Sequence, residues 1–161
     1  MSTRHGEPGT LLLLCGPPCS GKTTTAKRLA DSRQAVRLSP DEWVAVIGLD
    51  QRTELRDNVD ALQWMTAQQI VLAGATVVIE SGHWMRPERD TKRVWARENG
   101  VRVELHYLDV PLTTLLERAR HRTALGAPGT YPLTDEDLLY WHNFLEPPTA
   151  DELDLFDTPM P

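Results

Sequence analysis

The chain has 161 residues, 40% of them hydrophobic and 25% charged, the balance of one soluble globular domain with length enough for a real core. The net charge of −6 argues against a protein whose main task is to coat nucleic acid. No apolar run approaches the length of a membrane span, and Met1 to Gly9 lack the apolar centre of a secretory signal, so the expected compartment is cytoplasmic with no membrane partner.

In chain order, strands are expected at about 10–15, 35–39, 75–81 and 101–109, and helices at about 22–31, 41–47, 52–73, 87–99, 112–122 and 134–145. This alternation points to an α/β fold with a parallel sheet. The first strand carries Leu11-Leu12-Leu13-Leu14, an uninterrupted apolar run that reads as buried. Leu55, Val59, Leu62, Ile70, Leu72 and Ala73 give the third helix its expected apolar stripe. Gly74 and Gly100 fall where C-terminal caps belong, Pro111 suits a first helical position, and Thr134 suits an N-cap followed by Asp135, Glu136 and Asp137. Thr123 to Pro132 forms a glycine- and proline-containing connector, so a lid is expected over about 118–133. Residues from about 146 to 161 form an acidic strap expected to pack irregularly, and from Thr123 onward there is no Lys or Arg. The whole is expected to be a single domain.

The chemistry concentrates after the first strand. Gly16-Pro17-Pro18-Cys19-Ser20-Gly21-Lys22-Thr23 fits the phosphate-binding pattern G-x-x-x-x-G-K-[ST] at every fixed position. Strand, glycine loop and helix together aim backbone N–H groups and a helix N-terminus at one anion. These residues, with Thr24, are expected to hold a nucleoside triphosphate. Lys22 would reach the β- and γ-phosphates and the Thr23 hydroxyl would ligate Mg²⁺. A disulfide between Cys15 and Cys19 would distort the loop, so both are expected as thiols.

Asp41 follows the second strand, at the crevice beyond the strand ends where ligands of open α/β sheets bind. There it would either accept the proton of an attacking hydroxyl or cap the next helix. Glu80 ends the apolar third strand, where a phosphate-loop fold places the carboxylate that holds Mg²⁺, usually through water; the alternative is a carboxylate in solvent. The turn after it, with His83, Trp84 and Arg86, and Trp43 after the second strand, would line an acceptor pocket. Arg118 and Arg122 share a helix face and would either neutralise the transferring phosphoryl group or form a solvated basic helix end.

These segments together resemble the small P-loop kinases of the zeta-toxin, chloramphenicol-phosphotransferase and polynucleotide-kinase group, and most closely its AAA-type ATP-binding domains. The resemblance rests on residues 16–23, Leu38 to Trp43, Val78 to Trp84 with Arg86 and Arg89, and Leu105 to Pro111 with Arg118 and Arg122. It implies a three-layer P-loop NTPase fold with strand order 2-3-1-4 and a small lid. It also implies Asp41 as catalytic base, Lys22 on the phosphates, Thr23 on Mg²⁺, Arg118 and Arg122 as lid arginines, and adenine between the lid helix and the segment after the last strand. Glu80 departs from the usual Asp, no toxin-type insertion is present, and a fifth strand would have to be short or absent. The leading reading is an ATP-dependent kinase acting on a small-molecule hydroxyl. A polynucleotide 5′-hydroxyl kinase stands second, opposed by the acidic charge and by the lack of an aromatic and basic strip for bases. A nucleotide-binding switch or ATPase without acceptor stands third.

Overall fold

Leu11, Leu12, Leu13 and Leu14 have no exposed surface, which requires a strand covered on both faces. In the computed structural model, which describes residues 7–49, 54–126 and 132–160, they lie within β1 (Thr10–Cys15). The chain continues through α1 (Lys22–Arg33), β2 (Val36–Leu38), α2 (Pro40–Ile47), α3 (Arg56–Leu72), β3 (Val77–Ile79), α4 (Arg86–Glu98), β4 (Arg102–Tyr107), α5 (Leu112–Leu125), α6 (Asp135–Phe144) and α7 (Ala150–Leu153). The four strands form one sheet in the order β2-β3-β1-β4, with every neighbouring pair parallel. Leu11 pairs with Val77 on one side and Val103 on the other.

Alternation along β1 divides the core. Leu11, Leu13 and Cys15 pack with Ala67, Val71 and Ala96 of α3 and α4, while Leu12 and Leu14 pack with Ala26 and Leu29 of α1. Leu115, Ala119 and Leu138 join α5 to α6 in a separate cluster that reaches Cys19. Thr134 caps α6 in a reciprocal box with Asp137. Gly74 and Gly100 take positive φ just past α3 and α4, as C-terminal caps require.

Several expectations are corrected. Pro111 is the N-cap of α5 and its first helical residue is Leu112. That helix runs through Leu125, so Thr123 to Leu125 are helical; residues 127–131 of the expected connector lie outside the described residues, as do 52 and 53 of the expected third helix. The buried stripe of α3 is Val59, Gln63, Ala67 and Val71, whereas Leu55, Leu62 and Leu72 are about half exposed. A glutamine inside the stripe and leucines outside it disguise the helical period.

The C-terminal segment contains one helical turn, α7, and is otherwise irregular. Thr149 caps α7 by accepting from the Glu152 N–H at 3.2 Å, and Phe156 enters the main core. Asp157 then binds the open side of β4: its N–H donates to Val103 O at 2.8 Å, and its carboxylate accepts from Val103 N at 2.8 Å. An exposed sheet edge invites pairing with other chains, and here the chain's own tail covers it.

Two buried polar groups fasten the end of the chain to the loop after β3. Arg89 is 0% exposed and donates to Glu152 at 2.6 and 2.9 Å, to His83 O at 3.0 Å and to Trp84 O at 3.1 Å. His83, 1% exposed, takes a left-handed backbone (φ 45°) and directs Nδ1–H to Leu14 O at 2.6 Å. Burial, reinforced by the positive charge of Lys92, pulls its imidazole down to about 3.

Removing one partner of a buried ion pair strands the other charge, so Glu152→Ala should cost about 3–5 kcal/mol in urea unfolding; a loss under about 1 kcal/mol would contradict this role. His83 stays neutral when folded but gains a proton below about 6.5 when unfolded, so its contribution is present above that pH and lost as pH falls toward 3. Between pH 6 and 4 the wild type should therefore lose about 1.4 kcal/mol per pH unit more than His83→Asn. Asparagine tolerates the left-handed backbone, and parallel pH profiles would refute the argument.

Candidate nucleotide site

The loop between β1 and α1 is shaped by two glycines. A Cβ at Gly16 would lie 2.7 Å from Ser20 Oγ and 3.3 Å from Leu108 Cβ, so a side chain there would displace Ser20 within the loop. Gly21, at φ 94°, turns the chain into α1, whose first N–H groups have no partner within the helix. Gly16 N donates to Gly82 O at 3.1 Å, and Trp84 Nε1 donates to Gly16 O at 2.9 Å. The phosphate loop is thus bonded in both directions to the segment after β3.

Lys22 opens α1 and its ammonium donates to Gly16 O at 3.0 Å and Pro17 O at 2.7 Å. Burial pulls it down to about 8, and among the charges that oppose this the largest effect comes from Asp41, with Glu80 also contributing. Ser20 Oγ is buried within the loop without a hydrogen-bond partner, a polar atom of the kind that an oxyanion would satisfy. Cys15 and Cys19 are free thiols. Thr24 follows Thr23 in the first turn of α1 and is exposed.

Beside the loop, Thr23 Oγ1 donates to Glu80 Oε1, while Arg37 binds both Glu80 Oε2 and Glu42. Glu80 is 8% exposed, which excludes a carboxylate standing in solvent. Thr23 and Glu80 converge as a hydroxyl and a carboxylate. Among the described residues no group of three or more His, Cys, Asp or Glu side chains could hold a metal. Magnesium at phosphates takes one or two protein ligands and keeps water and phosphate oxygens for the rest, and the Thr23 and Glu80 pair fits that habit.

Asp41 lies in the first turn of α2. Its carboxylate is largely exposed and accepts from Arg56 of α3 at 2.6 Å. Arg118 of α5 reaches the phosphate loop and donates to Cys19 O at 3.2 Å; Arg122 stands one turn further along, in the last turn of that helix. Arg120 faces Asp135 instead, at 3.2 Å.

The residues expected around an acceptor are dispersed. Trp84 bonds to the phosphate loop and packs at a tilt of 38° against Trp141, 4.5 Å between ring centroids. Trp43 packs against the main core. His83 is turned into the protein toward β1. Arg86 begins α4, its N–H held by Glu146 at 2.9 Å and its guanidinium by Asp90 at 3.4 Å. Sequence reasoning missed Arg37 and Arg56, the partners of Glu80 and Asp41. A charged residue between Val36 and Leu38 in a short strand was the available signal for the first. It also missed that Trp84, Tyr140, Trp141 and Phe144 form one aromatic cluster.

Comparison with known proteins agrees with this architecture. Shikimate kinase 2 of Escherichia fergusonii is 30% identical over 122 residues, a match covering 71% of this chain and 63% of the length of that relative. A gluconokinase from Sinorhizobium meliloti aligns with a TM-score of 0.63 at 20% identity, over 90% of this chain and 79% of its own. A chain of the Pnkp1/Rnl/Hen1 RNA repair complex aligns with a TM-score of 0.72 at 17% identity, over 96% of this chain and 48% of its own. At such identities the two structures speak for the fold. A match to the AAA domain family spans residues 11–148, most of the length, and this protein belongs to that family, with the architecture of the small P-loop kinases.

Proposed function

We propose that the chain is an ATP-dependent phosphotransferase that moves the γ-phosphate of Mg-ATP to a hydroxyl of a small-molecule acceptor. The observation that carries this reading is the geometry of the loop after β1, where Lys22 folds over Gly16 O and Pro17 O and the Thr23 hydroxyl meets the Glu80 carboxylate. Asp41, in the first turn of α2, is exposed and paired with Arg56. The names of the relatives, shikimate kinase and gluconokinase, favour the same class of reaction.

In this mechanism the loop N–H groups and Lys22 hold the β- and γ-phosphates in place, so most of the catalysis is positioning and charge compensation. A Mg²⁺ ion held by Thr23, and by Glu80 through water, would neutralise charge on the phosphate oxygens. Asp41, oriented by Arg56, takes the proton of the acceptor hydroxyl as its oxygen bonds to the γ-phosphorus, and the bond from phosphorus to the β-bridging oxygen breaks to release ADP. Arg118, already on the loop carbonyl of Cys19, is placed to offset charge on the phosphoryl group, with Arg122 behind it. No described helix is long and apolar enough to cross a membrane, and the two free thiols favour a cytoplasmic setting.

One observation favours the polynucleotide 5′-hydroxyl reading. Tyr140 and Phe144, 60% and 42% exposed, stack in parallel beside Trp84 at the phosphate loop, and aromatic faces of this kind stack bases. The same helix begins with Asp135, Glu136 and Asp137, which repel a phosphate backbone.

ADP release should depend on an added alcohol. Asp41→Asn should lower kcat about 10²–10⁴-fold while ATP binding, read by calorimetry, changes little. Turnover indifferent to both alcohol and Asp41 would overturn the phosphotransferase reading. Arg118→Ala should slow transfer about 10³-fold or more if the arginine compensates phosphoryl charge. A preference for a 5′-hydroxyl oligonucleotide, falling steeply with salt, would move the second reading ahead of the first.

A further inference from the structure

The buried stripe of α3 contains a glutamine whose position core packing does not explain. Gln63 is 1% exposed, and neither its Oε1 nor its Nε2 has a hydrogen-bond partner. A carboxamide stranded in this way is costly to the fold, and such exceptions call for a reason beyond packing. Gln63 lines a cavity of about 20 Å³ together with Asp60 of the same helix, Glu88 and Lys92 of α4, Pro40 and Ser81. Pro40 immediately precedes Asp41, and Ser81 immediately follows Glu80. The cavity therefore lies between the two chain segments that deliver the proposed base and the proposed metal carboxylate.

Its size and lining constrain what it takes. About 10–15 Å³ accommodates one water, so the volume suits one hydroxyl-sized group. Gln63 offers a donor and an acceptor; Asp60 and Glu88 accept; Lys92 donates. Lys92 is held 3.6 Å from Glu88 and 5.6 Å from the Trp64 ring centroid, which fixes its ammonium at the wall. A carboxylate or phosphate entering here would meet two acidic side chains for one ammonium. A hydroxyl both donates and accepts, and matches the lining.

We propose that this cavity seats a second, non-transferring hydroxyl of the acceptor, so that the substrate is a polyhydroxylated molecule, a polyol or sugar, recognised by Gln63 and Lys92. The proposal rests on the phosphotransferase reading and names the substrate class of the same site. A site built to hydrogen-bond a substrate hydroxyl discriminates strongly against analogues that lack it.

The test measures ADP release with glycerol, ribitol, D-glucose and D-gluconate against the monohydroxyl alcohols 1-propanol and cyclohexanol, for wild type, Gln63→Leu and Lys92→Met. The wild type should prefer a polyol. Gln63→Leu should raise the KM for that polyol about tenfold and move kcat far less, while its melting temperature holds or rises, because leucine removes the unpaired amide. Lys92→Met, on a different helix and nearer the surface, should shift KM in the same direction. An unchanged KM in both variants would mean that the cavity holds a structural water, and would overturn the proposal. Equal use of monohydroxyl alcohols would overturn it too, leaving phosphotransfer intact. ADP release that no alcohol accelerates in the wild type would overturn the underlying reading and the substrate class with it.

Discussion

Burial of β1 on both faces is the constraint from which the remaining geometry follows. Four consecutive leucines without exposed surface need apolar partners above and below, and strands on either side to pair their backbone groups. β3 and β4 supply the pairing; α1 covers one face, and α3 and α4 cover the other. A strand so placed ends over the middle of the crevice beyond the carboxyl edge. The loop that follows it is central for that reason, and the residues just past β3 come to it as neighbours. Glu80 is far from Thr23 in the chain and meets it because β3 lies beside β1 in the order 2-3-1-4.

Charge is distributed by the same logic. In sequence, the region after Thr123 has acidic residues and no Lys or Arg, which reads as an unbalanced tail. In the fold its acids meet the bases of α4 and β4: Glu152 meets Arg89, and Asp157 meets Arg97 at 2.8 Å and Arg102 at 3.9 Å. Glu104, without exposed surface on β4, is enclosed by Arg33, Arg102 and His106. A buried carboxylate needs such partners, since desolvation alone would otherwise force a proton onto it. The asymmetry along the chain is complementarity between its parts.

What was legible in the sequence is what local chemistry dictates. The phosphate loop is written in consecutive residues, the apolar run of β1 has one sensible burial, and Thr134 carries its own capping partner three residues on. The sheet order became readable through the family resemblance. What remained hidden depends on partners distant in the chain. Arg89 finds Glu152 across 63 residues, and Arg37 finds Glu80 across 43. Neither has a periodic signature. The stripe of α3 was legible only in part for a different reason: Val59 and Ile70 do face the core, but Leu62 and Leu72 look like core and are exposed while Gln63 does not and is buried. Trp43, His83, Trp84 and Arg86 stand near the strand ends in sequence; in the fold Trp43 lies half-buried against the core, His83 turns toward β1, Trp84 bonds to the loop and Arg86 faces Asp90.

The two hydrogen bonds joining Gly16 to the segment after β3 have a mechanical meaning. Gly16 N–H reaches Gly82 O, and Gly16 O receives the Trp84 indole. A Cβ at Gly82 would sit 2.1 Å from that indole nitrogen, so the ring keeps its place because residue 82 has no side chain. The floor under the phosphates and the wall leading toward the aromatic cluster of α6 thus behave as one part. A displacement at Gly16 is felt at Trp84, and through its ring contact at Trp141 of α6. The loop after β1 and the aromatic cluster of α6 are in this way mechanically joined across the width of the fold.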